Sequence, residues 1–255
     1  MKKLSGKKIT KASTDKDFIA YQKKWNEDNV EVDRFQWQTT NKVISAKEKR
    51  LLSALNKYRR KSVLEVGCGE GANSVNLHVG KNFTGCDYSK TRIAFAKKHS
   101  TGHFVVSDGT KLVFKDNSYD VVFCRDVIHH VRERKKLVSE MYRVCKKGGK
   151  VILIESNALN LVNLGFSLLF KKEHDMRKIT PKYVKGIMSG FKGGLTIKYS
   201  EAYNLDRLFF HYQMGIQSSA NLRIFRIMND GVNMLFEFLL PKFFRAYMIV
   251  ELTKR

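Results

Sequence analysis

Three glycines at alternate positions follow a short apolar run in the stretch SVLEVGCGEGANSV, residues 62–75. Gly67, Gly69 and Gly71 lie between a predicted strand and a predicted helix. Glycine adopts positive φ readily and has no Cβ, so such a turn lets the backbone approach a ligand closely. Glycines also occur where a strand and a helix are merely joined tightly, so the pattern alone leaves ligand binding and a structural role open.

Acidic residues accompany the ends of three successive predicted strands. Glu65 lies in the first strand, Asp87 closes the second and Asp108 closes the third. Because the carboxyl ends of parallel strands meet at one edge of a sheet, we expect these carboxylates on one rim with the glycines. A carboxylate in that position can accept hydrogen bonds from ribose hydroxyls.

Two histidines follow the fourth predicted strand, in the stretch DVIHHV. The pKa of histidine lies near neutral pH, which suits general-base chemistry. For His129 and His130 a proton-transfer role, a substrate contact and a role at a helix start are all open. The other histidines show no partner pattern and are interpreted as structural or surface residues.

The elements that position these residues alternate regularly along the middle of the chain. The predicted strands are SVLEVG, NFTGCDYS, HFVVSDG, SYDVVFCRD and KVILIES. The predicted helices are ANSVNLHVG, which ends at Gly80, then KTRIAFAKKHS, and RKKLVSEMYRVCKKGG, which ends at its glycines. Repeated strand–helix–strand units predict a parallel sheet with helices on both faces.

The composition favours one compact α/β domain with attachments over two domains. The chain has 255 residues, 43% of them hydrophobic, and only two prolines. Its formal net charge is +24, which favours an anionic partner such as nucleic acid, an acidic lipid surface or a phosphorylated substrate. The charge alone does not select among these three.

Cysteine usage and the first residues predict a cytoplasmic protein. The cysteines are Cys68, Cys86, Cys124 and Cys145. They show neither CxxC pairing nor the histidine spacing of a zinc site, so we expect no metal site and no disulfide framework. The start MKKLSGKKIT lacks the apolar stretch of a signal peptide, and no uninterrupted apolar run approaches the length of a transmembrane helix.

The ordered set of motifs resembles the class I S-adenosylmethionine-dependent methyltransferases. EVGCGEG is similar to their first motif, an acidic residue followed by alternate glycines, and differs from the GxGxxG of nicotinamide-dependent dehydrogenases. The resemblance continues through CDYS, SDGTKLVFKDNSYDVVFCRDVIHHV and KKGGKVILIES, so residues 62–156 carry it. It is closest to the small-molecule group that includes the ubiquinone and menaquinone biosynthesis enzymes.

The resemblance implies S-adenosylmethionine as the cofactor and a set of residues that bind it. These are Glu65, Gly67, Cys68, Gly69, Asp87, Tyr88, Asp108, Gly109, Arg125 and Asp126. Glu65 and the backbone of the glycine turn should face the methionine part of the cofactor, and Asp87 the ribose hydroxyls. Tyr88, Asp108 and the Gly109 amide should contact the adenine. Arg125 and Asp126 should lie near the methionine tail and the transferred methyl group.

The resemblance also implies the fold and the division of the chain. We expect a Rossmann-like, seven-stranded, mostly parallel α/β sheet, with GLTIKYSEAY and AYMIVELTK as antiparallel strands six and seven. Residues 1–17 are predicted to be a basic, disordered start, and 18–255 a single domain. Within this domain the predicted parts are a helical cap (18–61), a cofactor-binding core (62–156) and an acceptor side (157–255) with a helical insertion at 203–244.

The sequence leaves the acceptor open. The first hypothesis is methyl transfer to a small-molecule or lipid-linked metabolite, with His129 and His130 as candidate catalytic residues. The alternatives are an RNA methyltransferase, favoured by the charge but without an RNA-binding motif, and a non-catalytic binding protein. The insertion would wall an apolar acceptor pocket, dock on an anionic membrane or pack on the core. We favour the pocket over the membrane, because Pro241 and interspersed charges should interrupt a lipid-facing stripe.

Overall fold

The computed structural model describes residues 30–77, 79–201 and 223–255. The strands are β1 (Val63–Val66), β2 (Phe83–Asp87), β3 (His103–Val106), β4 (Tyr119–Arg125), β5 (Cys145–Ser156), β6 (Gly193–Ser200) and β7 (Tyr247–Lys254). They form one sheet in the order β3-β2-β1-β4-β5-β7-β6. Strands β1 to β5 pair in parallel, whereas β7 is antiparallel to both β5 and β6. Strand order reverses between β1 and β4, so a crevice is expected at their carboxyl ends.

Helices connect and flank the strands. They are α1 (Val32–Thr40), α2 (Lys42–Leu52), α3 (Ala72–Asn76), α4 (Lys90–His99), α5 (Arg134–Val144), α6 (Leu161–Leu169), α7 (Pro181–Met188) and α8 (Arg223–Leu239). Short 3-10 segments are Ser53–Tyr58, Ile128–His130, Lys171–Lys178 and Lys242–Phe244. Helix α7 has a regular start, since the Thr180 hydroxyl accepts from the Tyr183 amide and Pro181 is the first helical residue.

Side chains from both faces of the sheet form the core. Leu137 of α5 and Val122 of β4 belong to the cluster on one face. Ile93 of α4 and Phe123 of β4 belong to the cluster on the other face. Successive β4 residues thus point to opposite sides and both are buried, as expected for a strand that helices cover on both faces. The predicted fold class is confirmed.

The predicted helix after the glycine turn is shorter than expected. We predicted that it would end at Gly80, but α3 ends at Asn76. The Asn76 side chain is buried and bonded to α1 and α2, since its amide donates to the Gln38 carbonyl and it pairs with the Ser45 hydroxyl. This end is therefore fixed by contacts with elements distant in sequence.

The predicted end of α5 is also wrong. The helix ends at Val144, and the residues KKGG belong to the first part of β5. Gly148 has φ +75°, and a Cβ on Gly149 would lie 2.7 Å from the Asp120 carbonyl oxygen. The two glycines therefore allow an irregular, closely packed start of the strand, where pairing with β4 shifts register, and they do not end the helix.

The predictions for the N-terminal cap and for the helical insertion fall partly outside the described residues. In the cap, Trp37 packs with Val43 and Ile44 in a small cluster, whereas Tyr21 and Trp25 lie outside the described residues. In the insertion, α8 is helical as predicted, and residues 203–222 lie outside the described part. None of the described helices is both long and apolar enough to cross a lipid bilayer.

Candidate functional site

The glycine turn after β1 requires glycine at all three positions. Gly67, Gly69 and Gly71 have φ values of +76°, +51° and +82°, in the left-handed region that side chains disfavour. A Cβ on Gly67 would lie 2.5 Å from a methyl of Val127, and one on Gly71 2.6 Å from the Ser100 hydroxyl. At Gly69 the nearest atom would be 3.9 Å away. The middle glycine therefore borders open space, where a ligand can approach the backbone.

The amides of this turn are already used within the protein. The Gly67 and Cys68 amides both donate to the Cys86 carbonyl, at 2.7 Å and 3.0 Å. The Gly69 amide donates to the Asp87 carboxylate at 3.0 Å. Cys68 itself is buried, and burial raises the pKa of its thiol well above the usual value. The turn therefore offers a ligand open space at Gly69, whereas its amide donors are already used.

Glu65 is a buried carboxylate with an unused oxygen. Its side chain is 1% exposed, and the Asn73 amide donates to Oε1. Its Oε2 is buried without a hydrogen-bond partner among the described residues. Burial raises the pKa of Glu65 to about 7, and the Asn73 hydrogen bond opposes this only in part. A buried acceptor of this kind is costly unless a donor reaches it.

Arg125 connects Glu65 to the cap. Its guanidinium donates to the Glu48 carboxylate of α2 and, at 2.9 Å, to the side-chain oxygen of Asn73. Asn73 in turn donates to Glu65, so the side chains form a continuous chain from α2 to the rim of the sheet. Sequence reasoning placed Arg125 near Glu65 but missed Glu48 and Asn73, because neither lies in a motif.

Asp87 lies at the end of β2 beside the glycine turn. Its two oxygens accept from the amides of Gly69 and Ser89, at 3.0 Å and 2.9 Å. Burial raises the pKa of Asp87, and these amides and the Arg92 charge oppose the rise. The next residue, Tyr88, is exposed. The structure thus brings Asp87 to the same rim as Glu65, as the strand pattern predicted.

The residues after β3 have local roles that the sequence did not show. Asp108 Oδ1 accepts from the amide and the hydroxyl of Thr110, each at 2.8 Å, and so closes its own loop. A Cβ on Gly109 would lie 2.7 Å from a methyl of Leu137. Close packing therefore accounts for this glycine without a ligand. The adenine contacts predicted for both residues stay predictions.

A second ion-pair group ties the N-terminal residues to the glycine turn. Arg92 Nε lies 3.4 Å from Glu70 Oε1, and the Glu31 amide donates to the same oxygen at 3.0 Å. An Arg92 guanidinium nitrogen lies 3.9 Å from Glu31 Oε2. The segment before α1 is therefore held against the turn that borders the site.

The end of β4 carries a residue in an unusual backbone conformation. Asp126 has φ +50°, which non-glycine residues rarely adopt and which Asp tolerates better than most. Its amide donates to the Ile154 carbonyl, and its carboxylate accepts from the Ser156 hydroxyl, both at 2.9 Å. Such conformations are found more often at functional sites than elsewhere.

His129 is buried between two carboxylates. Its Nδ1 lies 2.9 Å from Glu155 and its Nε2 lies 3.2 Å from Glu173. Burial disfavours the charged imidazole, but the hydrogen bond to Glu155 and the nearby Glu173 carboxylate outweigh it and raise the pKa of His129 to about 10. The other Glu155 oxygen accepts from the amides of Val127 and Ile128. His129 is thus a protonated link that fixes the segment after β4.

His130 differs from its neighbour, although the two rings lie 4.0 Å apart between centroids. The His130 residue is exposed to solvent, but the protein packed against its ring and the charge of His129 lower its pKa to about 3. The ring is therefore neutral near pH 7 and can contact a molecule from solvent. Ligand atoms of His129, His130 and Glu173 lie within 4.8 Å of one another. This group could bind a cation only if His129 lost the proton that its two carboxylates stabilise.

Comparison with known proteins agrees with this arrangement. Residues 64–153 match the family model of a methyltransferase domain, and the sheet order above is the architecture that the motifs implied. Residues 64–153 thus match a methyltransferase domain, and the sheet has the class I fold. The matched residues of the methyltransferase domain include the glycine turn, Asp87 and both histidines.

Relatives of the methyltransferase domain differ in their acceptors. Phosphoethanolamine N-methyltransferase 3 of Arabidopsis thaliana is 34% identical over 116 residues, which are 42% of this chain and 23% of that protein. The ubiquinone biosynthesis O-methyltransferase of Pseudomonas aeruginosa is 27% identical over 179 residues, 64% of this chain and 77% of that protein. The chain thus spans 23% of the length of the plant relative and 77% of the length of the bacterial one.

A solved structure shares the fold of the methyltransferase domain. It is phosphoethanolamine N-methyltransferase 2 of Haemonchus contortus, solved with phosphomonomethylethanolamine and S-adenosylhomocysteine. The TM-score is 0.61 at 19% identity, and the match covers 91% of this chain and 60% of that one. At this identity the likeness shows the fold alone.

Proposed function

We propose that this protein binds S-adenosylmethionine at the carboxyl ends of β1 and β2 and transfers its methyl group to a small-molecule acceptor. The observation that carries this proposal is the buried Glu65 oxygen without a partner among the described residues. The ammonium group in the methionine part of the cofactor is a donor that would satisfy it. The open space at Gly69 and the Asp87 carboxylate on the same rim support the proposal.

The residues around this rim hold and orient the ligand. Each Asp87 oxygen accepts one backbone amide and keeps a second lone pair, so the carboxylate can also accept from ribose hydroxyls. Arg125 holds Asn73, and Asn73 holds Glu65, so the carboxylate is oriented before the ligand arrives. The cofactor supplies an already activated methyl group, which leaves alignment of the acceptor and exclusion of water to the protein.

The acceptor is proposed to approach from the end of β4. His130 is exposed there and is the residue we assign to acceptor contact, because with its pKa lowered to about 3 the neutral ring is a weak base for proton transfer. His129 is assigned a positioning role, because both of its ring nitrogens face carboxylates and it is buried. Asp126, in its unusual conformation beside the histidines, is the third residue of this proposed acceptor side.

For the acceptor we propose a small molecule carrying an amine or a hydroxyl group. The matched relatives are named for a phosphoethanolamine nitrogen and for an oxygen in ubiquinone biosynthesis. The RNA alternative gains no support from these relatives. A lipid-linked acceptor, the cytoplasmic location and the division at residues 18–61, 62–156 and 157–255 remain predictions.

Cofactor binding is tested by calorimetric titration with S-adenosylmethionine at pH 6 and pH 7. With a pKa of about 7, Glu65 is about one-tenth ionised at pH 6 and half ionised at pH 7, so the Kd should fall about fivefold. In Glu65→Gln the affinity should be lower and this pH dependence lost. The control is Asp116→Asn, an exposed carboxylate before β4 at the opposite edge of the sheet. Unchanged affinity in Glu65→Gln would contradict the assignment of the site.

Acceptor class is tested by labelled methyl transfer. The protein is incubated with a cell extract and methyl-labelled S-adenosylmethionine, and the extract is then divided into aqueous small molecules, lipid, RNA and protein. Label in the small-molecule or lipid fraction supports the proposal. Label confined to RNA or to protein would refute the small-molecule acceptor while leaving the cofactor site intact.

A further inference from the structure

Helix α6 buries both of its polar side chains, together with Phe166, and exposes its leucines. Asn163 and Ser167 are each 1% exposed, and the Asn163 amide donates to the carbonyls of Asn157 and Ala246, at 3.1 Å and 2.6 Å. The exposed apolar residues are Leu161, Leu164, Leu168 and Leu169. They recur at the spacing of one helix face. A helix on a water-facing surface normally has the reverse arrangement, so this leucine face suits an apolar environment.

Helix α8 is arranged in the same way. Among its described side chains only Asn229, Asn233 and Phe236 are partly covered, and these lie on one side. The opposite side carries exposed Ile224, Met228, Leu235, Phe238 and Leu239. The charged residues of α8 lie away from this side at 3.6 residues per turn, so they do not interrupt the apolar stripe. The sequence-based expectation of an interrupted stripe is therefore wrong for α8.

A short aromatic segment after α8 lies beside the start of α6. Phe243 and Phe244 are exposed, and they follow the end of α8 within a few residues. The Asn157 and Asn160 amides, just before α6, donate to the carbonyls of Phe243 and Phe244, at 2.8 Å and 3.0 Å. This places the aromatic segment beside the start of α6. We call the exposed leucines of α6, Phe243, Phe244 and the exposed apolar side of α8 the apolar face.

The charge near the apolar face is mainly positive. The segments 157–172 and 238–250 contain Lys171, Lys172, Lys242 and Arg245 and no Asp or Glu, whereas the charges within α8 balance, since two arginines stand against Asp230 and Glu237. A second copy of the chain would bring the same cations to this edge, and their repulsion disfavours self-association. An anionic lipid surface offers both an apolar layer for the leucines and phenylalanines and negative headgroups for the cations.

We infer that the apolar face docks this protein on the surface of an anionic lipid bilayer. Neither helix spans the bilayer, and both lie in the plane of the headgroups with the apolar face toward the acyl chains. Because α6 follows the carboxyl end of β5, docking would bring the rim that carries Glu155 close to the membrane. Docking itself does not depend on methyl transfer, so the two proposals can fail separately.

The test is co-sedimentation of the full chain with vesicles, one set of pure phosphatidylcholine and one of equal parts phosphatidylcholine and phosphatidylglycerol. We expect binding to the anionic set, weaker binding to the neutral set, and release as salt rises from about 0.1 M to 1 M, where the screening length falls from about 10 Å to 3 Å. In Leu169→Gln/Phe238→Gln the affinity should fall about tenfold or more, since both side chains are exposed, 75% and 89%, and their loss should not disturb folding. The matched control is Val113→Gln, an exposed apolar residue outside the apolar face.

A second pair of variants tests the cations. Lys171→Gln/Lys172→Gln/Lys242→Gln should weaken binding to anionic vesicles and not to neutral ones, whereas Lys81→Gln/Lys97→Gln/Lys98→Gln, which removes the same charge elsewhere, should have less effect. Absence of sedimentation with anionic vesicles, or equal binding by the wild type and the Leu169/Phe238 variant, would overturn the inference. A dimer in analytical ultracentrifugation that this variant dissolves, without vesicle binding, would instead assign the apolar face to self-association.

Discussion

Replacing His129 tests whether a buried charge at the end of β4 stabilises the folded protein. In His129→Gln a neutral amide replaces an imidazolium that lies 2.9 Å from Glu155 and 3.2 Å from Glu173. Glu155 is fully buried and would keep only its two backbone donors. Removing one partner of a buried ionic group leaves the other charge uncompensated, which costs about 3 to 5 kcal/mol in comparable cases.

The pKa of His129 gives a second route to this magnitude. A change from 6.5 to about 10 corresponds to about 5 kcal/mol, since each pKa unit is about 1.4 kcal/mol. Because the pKa is raised on folding, this stabilisation is fully present below pH 6.5 and is lost as the pH rises through 10. Between pH 6 and pH 9 this stabilisation should fall by about 3 kcal/mol. Over this range the histidine loses its proton in the unfolded state but mostly keeps it in the folded state.

The assay is urea unfolding followed by tryptophan fluorescence at pH 6 and pH 9. The difference in unfolding free energy between wild type and His129→Gln should be larger at pH 6 than at pH 9, because titration of all other groups is common to both proteins. His103→Gln is the matched control, and its stability should stay within about 0.5 kcal/mol of wild type at both pH values because the side chain is exposed. A difference for His129→Gln that is the same at both pH values would refute the buried-charge interpretation.

Two further predictions concern the proposed reaction. Asp87→Ala should weaken S-adenosylmethionine binding by about 1.5 to 3 kcal/mol, the range for hydrogen bonds to a charged group, as measured by calorimetry; an unchanged Kd would remove Asp87 from the site. His130→Gln should leave that Kd within a few-fold and lower turnover with an identified acceptor, since the side chain is assigned to the acceptor side. Full turnover in His130→Gln, measured with labelled cofactor, would leave the histidine without a catalytic role.

The sequence predicted the parts of the site that depend on local structure. Glu65, Asp87 and the glycines each lie at the junction of one strand and the following segment, and strand ends can be located from hydrophobic patterning and turn residues. Because parallel strands align their carboxyl ends, residues at separate junctions could be assigned to one rim before any distance was known. The left-handed φ values of the three glycines agree with that assignment.

The partners of these residues could not be predicted in the same way. Arg125 meets Glu48 of α2, and His129 meets Glu173 of the 3-10 segment after α6. Neither glutamate belongs to a motif, and the sequence contains many other acidic residues that could equally well be the partners. The environments of the adjacent histidines, one buried between carboxylates and one exposed, are likewise invisible to a pattern that shows only two neighbouring imidazoles.

The sequence by itself determined the order of strands and helices, the glycine turn and the acidic rim, because each follows from interactions between residues close along the chain. Only the tertiary structure decided where KKGG belongs, which carboxylates hold Arg125 and His129, and which side of α6 and α8 faces outward. These depend on which distant elements pack together. A helix pattern shows that one face is apolar, but the surrounding protein decides whether that face is buried or exposed.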